Sequence, residues 1–126
     1  MYARRWSCRC PLRHRDGFLK YLNDTGVTDT ARTPGCIGAQ VLERDLPDPS
    51  DSEASGPGAS GPDARVEITL VTYWTSLDAI VAYAGEDIGQ ARLYPEDAQY
   101  EIDPDRHVTH ERVLWHHFLN PLIQTR

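Results

Sequence analysis

The stretch that decides the fold is RVEITLVTYW, residues 65–74. Alternate positions form one of its faces, which consists of Val66, Ile68, Leu70, Thr72 and Trp74. Val71 and Tyr73 fall on the opposite face. Because the side chains of a β-strand point alternately to the two sides of its sheet, this period of two indicates a strand. Both faces carry bulky apolar groups, so we expect the sheet to be covered from both sides.

A helix is predicted directly after this strand, over residues 76–84. Thr75 is typical of a helix N-cap, and Asp78 places an acid in the first turn, where the helix dipole favours negative charge. Apolar residues recur at helical spacing and are predicted to be buried: Leu77, Ile80, Val81 and Ala84. Gly85 is expected to end the helix, since glycine leaves the helical conformation at little cost.

The rest of the chain predicts one more short helix and one more strand. The short helix covers about residues 86–93 and stops before Pro95, since proline cannot continue a helix. Residues 106–115 alternate between apolar and polar groups and therefore predict the last strand. Residues 116–126 are expected to form a C-terminal tail beyond the domain.

Working towards the other end, the chain predicts two further strands and a helix. Residues 2–10 alternate loosely and contain tyrosine, tryptophan and cysteine, which favours a strand. A helix is predicted from about residue 14 to 23, with Gly26 as its stop. Residues 36–44 show strand periodicity. Residues 46–63 contain no large apolar group after the first, so they predict a mobile hairpin loop.

Strand, helix, two strands, helix and strand is the order of the ferredoxin-like plan, an α+β fold with an antiparallel sheet and helices on one face. We therefore predict one domain over residues 1–115, with the loop inserted at residues 46–63. The sheet face without helices is apolar and needs a cover. A second copy of the chain is the simplest cover, so the sequence predicts a homodimer.

Charge and composition exclude some classes of partner. The 126 residues carry a net charge of −6, which argues against nucleic acid or an anionic membrane surface as partner. Basic residues nevertheless crowd the start of the chain, at Arg4, Arg5, Arg9, Arg13 and Arg15. We interpret this cluster as a solvated strand edge rather than as a phosphate-binding patch.

The three cysteines indicate free thiols rather than a disulfide or a zinc site. Cys8 and Cys10 share one face of a predicted strand and point the same way, which is poor geometry for a disulfide. With Cys36 far away, the repeated short spacing of a zinc site is missing. No apolar run reaches the ~18 residues of a membrane helix. These features predict a cytoplasmic protein that carries no export signal.

Two regions together resemble a known family. These are PGCIGA, residues 34–39, and VTYWTSLDAI, residues 71–80. AYAGEDI at residues 82–88, YPED at residues 94–97 and VTH at residues 108–110 strengthen the likeness. The chain resembles the antibiotic-biosynthesis-monooxygenase group of dimeric α/β barrels. That group contains quinone-forming monooxygenases, haem-degrading enzymes and members without an assigned reaction.

The resemblance implies a reaction that uses no cofactor: no metal and no flavin. A phenolic substrate would be deprotonated and would pass an electron to oxygen from its own ring, within a dry and aromatic pocket. Trp74 matches the group's tryptophan and His110 matches its histidine, which would serve as general base. Arg92 would stabilise a phenolate or carboxylate. Further wall residues would be Tyr73, Tyr83 and Tyr94.

Simpler readings of these residues stay open. Trp74 and the tyrosines would equally suit a packed core, Arg92 a surface, and His110 a contact to the partner chain. The monooxygenases have asparagine where this chain has Leu70, and the haem degraders have an axial histidine where it has Arg92. We therefore predict a monooxygenase-like oxidoreductase acting on a small aromatic or polyketide-like substrate. The alternative is a non-catalytic protein that binds a small ligand, with haem less favoured.

Overall fold

The computed structural model describes residues 1–47 and 64–117 of the chain. The predicted loop at residues 46–63 therefore lies outside the described residues, apart from its first two positions. The same holds for all but the first two residues of the predicted tail at residues 116–126. The elements that carry the site all belong to the described part.

The described part contains five strands and three α-helices. In chain order they are β1 (Tyr2–Pro11), α1 (Arg15–Leu22), α2 (Thr28–Ala31), β2 (Cys36–Asp45), β3 (Arg65–Trp74), α3 (Leu77–Ala84), β4 (Asp103–Pro104) and β5 (Thr109–Arg112). Short 3-10 turns cover Leu12–His14 and Asp97–Tyr100. None of the helices in these ranges is long and apolar enough to cross a membrane.

All the strands join one antiparallel sheet in the order β2-β3-β1, with β4 and β5 both on the far side of β1. Tyr2 pairs with Trp74 on β3 and with Arg112 on β5. The predicted α+β class and antiparallel sheet are confirmed. The interpretation of β1 as a strand edge is wrong, because β1 lies between two neighbours.

The central position of β1 explains what its arginines do. Arg9 meets carboxylates on both sides, with Glu67 on β3 at 3.9 Å and Asp105 beyond β4 at 2.8 Å. Arg5 pairs with Glu111 at 3.2 Å. Arg13 and Arg15, just after the strand, pair with Glu101 and Glu43 in the same way. Apart from Arg4, the basic cluster is therefore matched by acids from the rest of the chain.

One face of the sheet, here called the inner face, carries the hydrophobic core. Its buried members come from β1, α1 and β3: Cys8, Cys10, Phe18, Leu22, Val66, Ile68 and Leu70. The predicted alternation of β3 is thereby confirmed. Burying a large apolar side chain contributes about 1.5–3 kcal/mol, so this cluster supplies much of the stability.

The two cysteines of β1 share the inner face, as predicted, and are free thiols. Burial raises the pKa of Cys8 to about 12. Burial likewise raises the pKa of Cys10 to about 11. Both groups therefore stay protonated and unreactive at neutral pH, because the thiolate is the reactive form.

Gly26 does not stop the first helix, contrary to the prediction. A π-helical turn over Asn23–Val27 joins α1 to α2, and Gly26 is buried within it. A Cβ atom at Gly26 would lie 3.5 Å from both Leu22 and Leu70, which is ordinary van der Waals contact, so the turn packs against the sheet without requiring glycine. The Thr30 hydroxyl donates to the Gly26 carbonyl at 3.0 Å and so satisfies an acceptor in the widened turn.

Helix α3 follows β3 as predicted, with two differences. The N-cap is Ser76 rather than Thr75, because the Ser76 hydroxyl accepts the Ala79 N–H at 3.2 Å. Only Ile80 of the four predicted core residues is fully buried, while Leu77 and Val81 are exposed. The helix ends at Gly85, whose φ of 91° is favourable only for glycine.

The predicted helix over residues 86–93 is wrong. The Asp87 carboxylate accepts the Gly89 N–H at 3.2 Å, a local turn that competes with helix formation. The chain then runs beside the last strand region, where the Val108 N–H donates to the Gly89 carbonyl at 2.9 Å. The predicted strand over residues 106–115 is accordingly shorter, since only Thr109–Arg112 forms β5.

Candidate functional site

A small cavity, here called the inner cavity, lies between the inner face and the helices, and its volume is about 40 Å³. Its polar wall comes from four parts of the chain and includes Arg4, Thr30, Tyr83, Arg92, Tyr94 and Asp97. Leu70 and Val108 supply apolar wall. A water molecule needs about 10–15 Å³ of such volume, whereas a cavity of about 150 Å³ admits benzene. The inner cavity thus accommodates a few waters, and an aromatic ring enters only if side chains move.

Two phenols form one side of the inner cavity. The Tyr94 hydroxyl donates to Asp29 Oδ2 at 2.7 Å and lies 3.4 Å from the Tyr83 hydroxyl. Because the single hydroxyl hydrogen of Tyr94 is donated to Asp29, Tyr83 is the donor between the two phenols. Burial raises the pKa of Tyr94, and the hydrogen bond that it donates to Asp29 raises it further. Tyr94 is therefore a neutral hydrogen-bond donor at physiological pH.

Arg92 covers the rings of both tyrosines. Its guanidinium carbon lies 4.8 Å from the ring centre of Tyr83 and 5.5 Å from that of Tyr94. It donates to the Tyr83 carbonyl at 3.2 Å and lies 3.8 Å from the Asp29 carboxylate. The side chain is 44% exposed. Arg92 is thus a cation over two aromatic faces, at the mouth of the inner cavity.

Arg4 is a buried cation in the same wall, and the sequence analysis did not single it out for the site. It is 5% exposed. Its Nη1 donates to the Ile88 carbonyl at 2.5 Å, and its Nη2 donates to the Gln90 carbonyl at 3.0 Å. Burial lowers the pKa of Arg4. The sequence pattern indicates this burial, because alternation along β1 places Arg4 on the same face as Trp6, Cys8 and Cys10.

His110 lies behind Arg4 rather than in the wall of the inner cavity. Its Nε2 is 3.0 Å from Arg4 Nη1. Because a guanidinium can only donate, Nε2 accepts and the ring carries its proton on Nδ1. Burial, and next the charge of Arg4, lowers the pKa of His110. The imidazole is therefore neutral near pH 7, and the nitrogen that could take a substrate proton is already occupied.

Trp74 supports the site from behind. The side chain is fully buried, and its indole N–H donates to Thr72 Oγ1 at 2.8 Å. Its ring centre lies 5.7 Å from that of Tyr83. Of the two readings open for Trp74, its surroundings match the packed core, and through Tyr83 it also fixes one wall of the inner cavity.

Tyr73 belongs to the opposite face of the sheet, here called the outer face. Its hydroxyl donates to Gln40 Oε1 at 2.7 Å. It borders an open groove of about 500 Å³, the outer groove, together with Ile37 and Trp115. Ile37 is 53% exposed and Trp115 84% exposed. The structure thus brings Arg92, Tyr83 and Tyr94 together and separates Tyr73 from them.

The donor set around the inner cavity suits organic ligands rather than metals. Among residues 1–47 and 64–117, no group of three or more histidine, cysteine, aspartate or glutamate side chains is placed to hold a metal ion. Leu70 contributes only carbon to the wall. The hydrogen-bonding side chains in the wall of the inner cavity therefore include two arginines, two tyrosines, Asp97 and the threonines Thr25, Thr30 and Thr72.

A scan of the chain against models of known protein families finds no match, and a search of curated protein sequences finds none either. The likeness to the antibiotic-biosynthesis-monooxygenase group therefore remains a prediction from the residues quoted above. The site has to be interpreted from its own geometry.

Proposed function

We propose that the chain binds a small aromatic anion, a phenolate or a carboxylate, between the inner face and the helices. The observation that carries the proposal is the position of Arg92, a half-exposed cation above the rings of Tyr83 and Tyr94 at the mouth of the inner cavity. Aromatic walls favour stacking of a ring, and a guanidinium favours a planar anion.

Entry of a ring requires that Arg92 moves, and the contacts that hold it are weak. An exposed ion pair contributes about 0–1 kcal/mol, and an exposed cation–π contact about 0.5–1 kcal/mol. An anionic ligand would replace the Asp29 carboxylate as the partner of Arg92. Together with the hydrogen bond from Arg92 to the Tyr83 carbonyl, these contacts amount to a few kcal/mol, which a charged hydrogen bond of about 1.5–3 kcal/mol and the burial of the aromatic ring offset.

We expect 2-naphthoate to bind to the full chain and to quench or shift its fluorescence in a saturable titration. Arg92→Gln, which keeps a polar side chain but removes the charge, is expected to weaken binding about tenfold. Arg44→Gln is the matched control, because Arg44 is also an exposed arginine with one carboxylate partner, Glu67 at 3.2 Å, on the outer face. Equal affinity of Arg92→Gln and wild type would contradict the proposal.

A cofactor-independent oxygenase is the narrower form of this proposal. In that reaction a deprotonated anthrone gives electrons to O₂, and its methylene carbon gains one oxygen as a quinone carbonyl while the second oxygen leaves as water. The aromatic wall and Arg92 support binding of such a substrate. Nothing comparable supports proton removal, because His110 Nε2 is occupied by Arg4 and Leu70 offers no polar atom. Quinone formation above background from a hydroxyanthrone, in metal-free protein, would favour the enzyme over the binding protein.

We further propose that the chain is a ferredoxin-like βαββαβ domain that pairs with a second copy through its outer face, as a cytoplasmic dimeric α/β barrel. The strand order and the exposed apolar residues of the outer groove, Ile37 and Trp115, support the pairing. The free cysteines support a reducing compartment. We expect light scattering to give twice the chain mass, and Ile37→Glu to give a folded monomer. A monomeric wild type would contradict the dimer.

A further inference from the structure

Arg4 on β1 contacts two parts of the chain that are distant from it in sequence. Two of its hydrogen bonds go to backbone carbonyls of the segment after α3, at Ile88 and Gln90, and a third goes to His110 on β5. Arg92 follows Gln90 by two residues, so the same segment carries the cation at the mouth of the inner cavity. Arg4 therefore ties the segment that carries Arg92 to β1 and β5.

We infer that the contact between Arg4 and His110 is a proton-sensitive latch, which holds residues 88–92 over the inner cavity when His110 is neutral and releases them when His110 is protonated. A guanidinium has no lone pair to offer, so it needs an acceptor at this position. Neutral imidazole supplies one. Protonated imidazole supplies only donors and places a second positive charge 3.0 Å from the first.

No carboxylate in the described residues contacts the His110 ring to offset that charge. From β1 the ring meets Arg4, and the nearby α3 side chain is Tyr83, a neutral phenol whose ring centre is 5.9 Å from the Arg4 guanidinium carbon. On β5 itself, Glu111 is paired with Arg5.

The carboxylate just before residues 88–92 is engaged elsewhere, because Asp87 accepts the Gly89 N–H at 3.2 Å. Arg112, two residues further along β5, is exposed and adds only positive charge. Protonation of His110 therefore repels Arg4 directly. This repulsion destabilises the closed state, in which residues 88–92 lie over the inner cavity.

The pH window follows from the direction of the shift. Burial and the charge of Arg4 lower the pKa of latched His110, whereas a released ring returns to the ordinary value of about 6.5. The closed state is thus most stable relative to the open state above about pH 6.5, and it becomes less stable as the pH falls. The open fraction rises as the pH falls below about 6.5, and it levels off below the lowered pKa.

Hydrogen exchange of the full chain without ligand tests the latch. The reporters are the amides of Ala91 and Val108, which donate to the Arg106 and Gly89 carbonyls at 2.8 and 2.9 Å. We expect their protection factors, corrected for intrinsic exchange, to fall as the pH is lowered from about 7.5 to about 5. His110→Gln, which keeps an acceptor that does not titrate, is expected to abolish this dependence.

His107→Gln is the matched control, because His107 is an exposed histidine three residues away on the same part of the chain. It is expected to keep the wild-type dependence. Equal pH responses of wild type and His110→Gln would overturn the latch. If His110→Gln does not fold, the ¹⁵N shifts of the wild-type ring decide instead: a proton on Nδ1 with a lowered pKa supports the latch, and an ordinary pKa or a proton on Nε2 refutes it.

The consequence for binding rests on the proposed ligand site, and the two ideas fail separately. With the latch, 2-naphthoate gains access more easily at about pH 5 in wild type and in His107→Gln but not in His110→Gln. If hydrogen exchange depends on pH but naphthoate does not bind, the ligand proposal is contradicted and the latch is supported. If naphthoate binds to wild type and to His110→Gln with the same rate and affinity, the latch is excluded and the ligand site is retained.

Discussion

Trp74→Ala is expected to lower the free energy of unfolding by about 3–5 kcal/mol, as loss of a fully buried large aromatic side chain does. Trp74 is 0% exposed, and it donates to Thr72 and packs against Tyr83. Domains of this kind are stable by only about 5–15 kcal/mol in total. The substitution therefore removes a large share of the stability, which urea unfolding followed by far-ultraviolet circular dichroism measures.

Trp115→Ala is the internal control for the same change of residue type. Trp115 is 84% exposed in the single chain, so with both tryptophan variants compared in the monomeric Ile37→Glu background its loss is expected to change the unfolding free energy by no more than about 0.5 kcal/mol. Trp74→Phe is expected to fall between the two, since it keeps a ring against Tyr83 but leaves the Thr72 hydroxyl without its donor. Similar losses for Trp74→Ala and Trp115→Ala would show that the buried position of Trp74 is wrong.

Gly35→Ala is expected to destabilise the fold by about 2–5 kcal/mol, from backbone strain and from a steric clash together. Gly35 has a φ of 94°, and a Cβ atom there would lie 2.4 Å from the Cβ of Ala79 on α3. The Thr75 N–H also donates to the Gly35 carbonyl at 2.8 Å, so the turn cannot move away freely. Thermal and urea unfolding of the variant give the size of the loss.

Two further substitutions separate the clash from the strain. Ala79→Gly removes the atom that Gly35→Ala would meet, so the double variant is expected to recover about 1–3 kcal/mol of coupling energy. Gly38→Ala is the neutral comparison, because its Cβ would meet only Tyr73 Cδ2 at an ordinary 3.7 Å. A double variant that loses the sum of the two single losses would exclude the contact between this turn and α3.

Local patterns predicted the strands well because a period of two is read directly from neighbouring residues. The alternation at Val66, Ile68 and Leu70 lies on the inner face as expected. The same reasoning was wrong for residues 86–93, where the helical spacing is real but pairing with residues 106–108 prevails. Such pairing depends on a partner outside the window, so no local pattern contains it.

The residue types of the candidate site were predictable from the sequence, but their contacts with partners elsewhere in the chain were not. Tyr83, Tyr94 and Arg92 lie close together in sequence, and the structure brings them together. Their acidic partner Asp29 comes from α2, and its distance to Tyr94 depends on how α2 packs. The sequence groups Arg4 with the other N-terminal arginines, because it does not reveal the hydrogen-bond partners that allow a charged residue to lie on the core face.

The middle position of β1 also has a consequence for how the chain reaches its structure. Residue Tyr2 must find Trp74 and Arg112, and Arg4 must find His110, which is separated from it by 106 residues. Contacts of such long range give a high contact order, which slows the search for the native state to about milliseconds to seconds. On a ribosome, β1 emerges before both of its neighbours. Until residues 103–112 leave the exit tunnel, one side of the strand that organises the sheet has no partner strand.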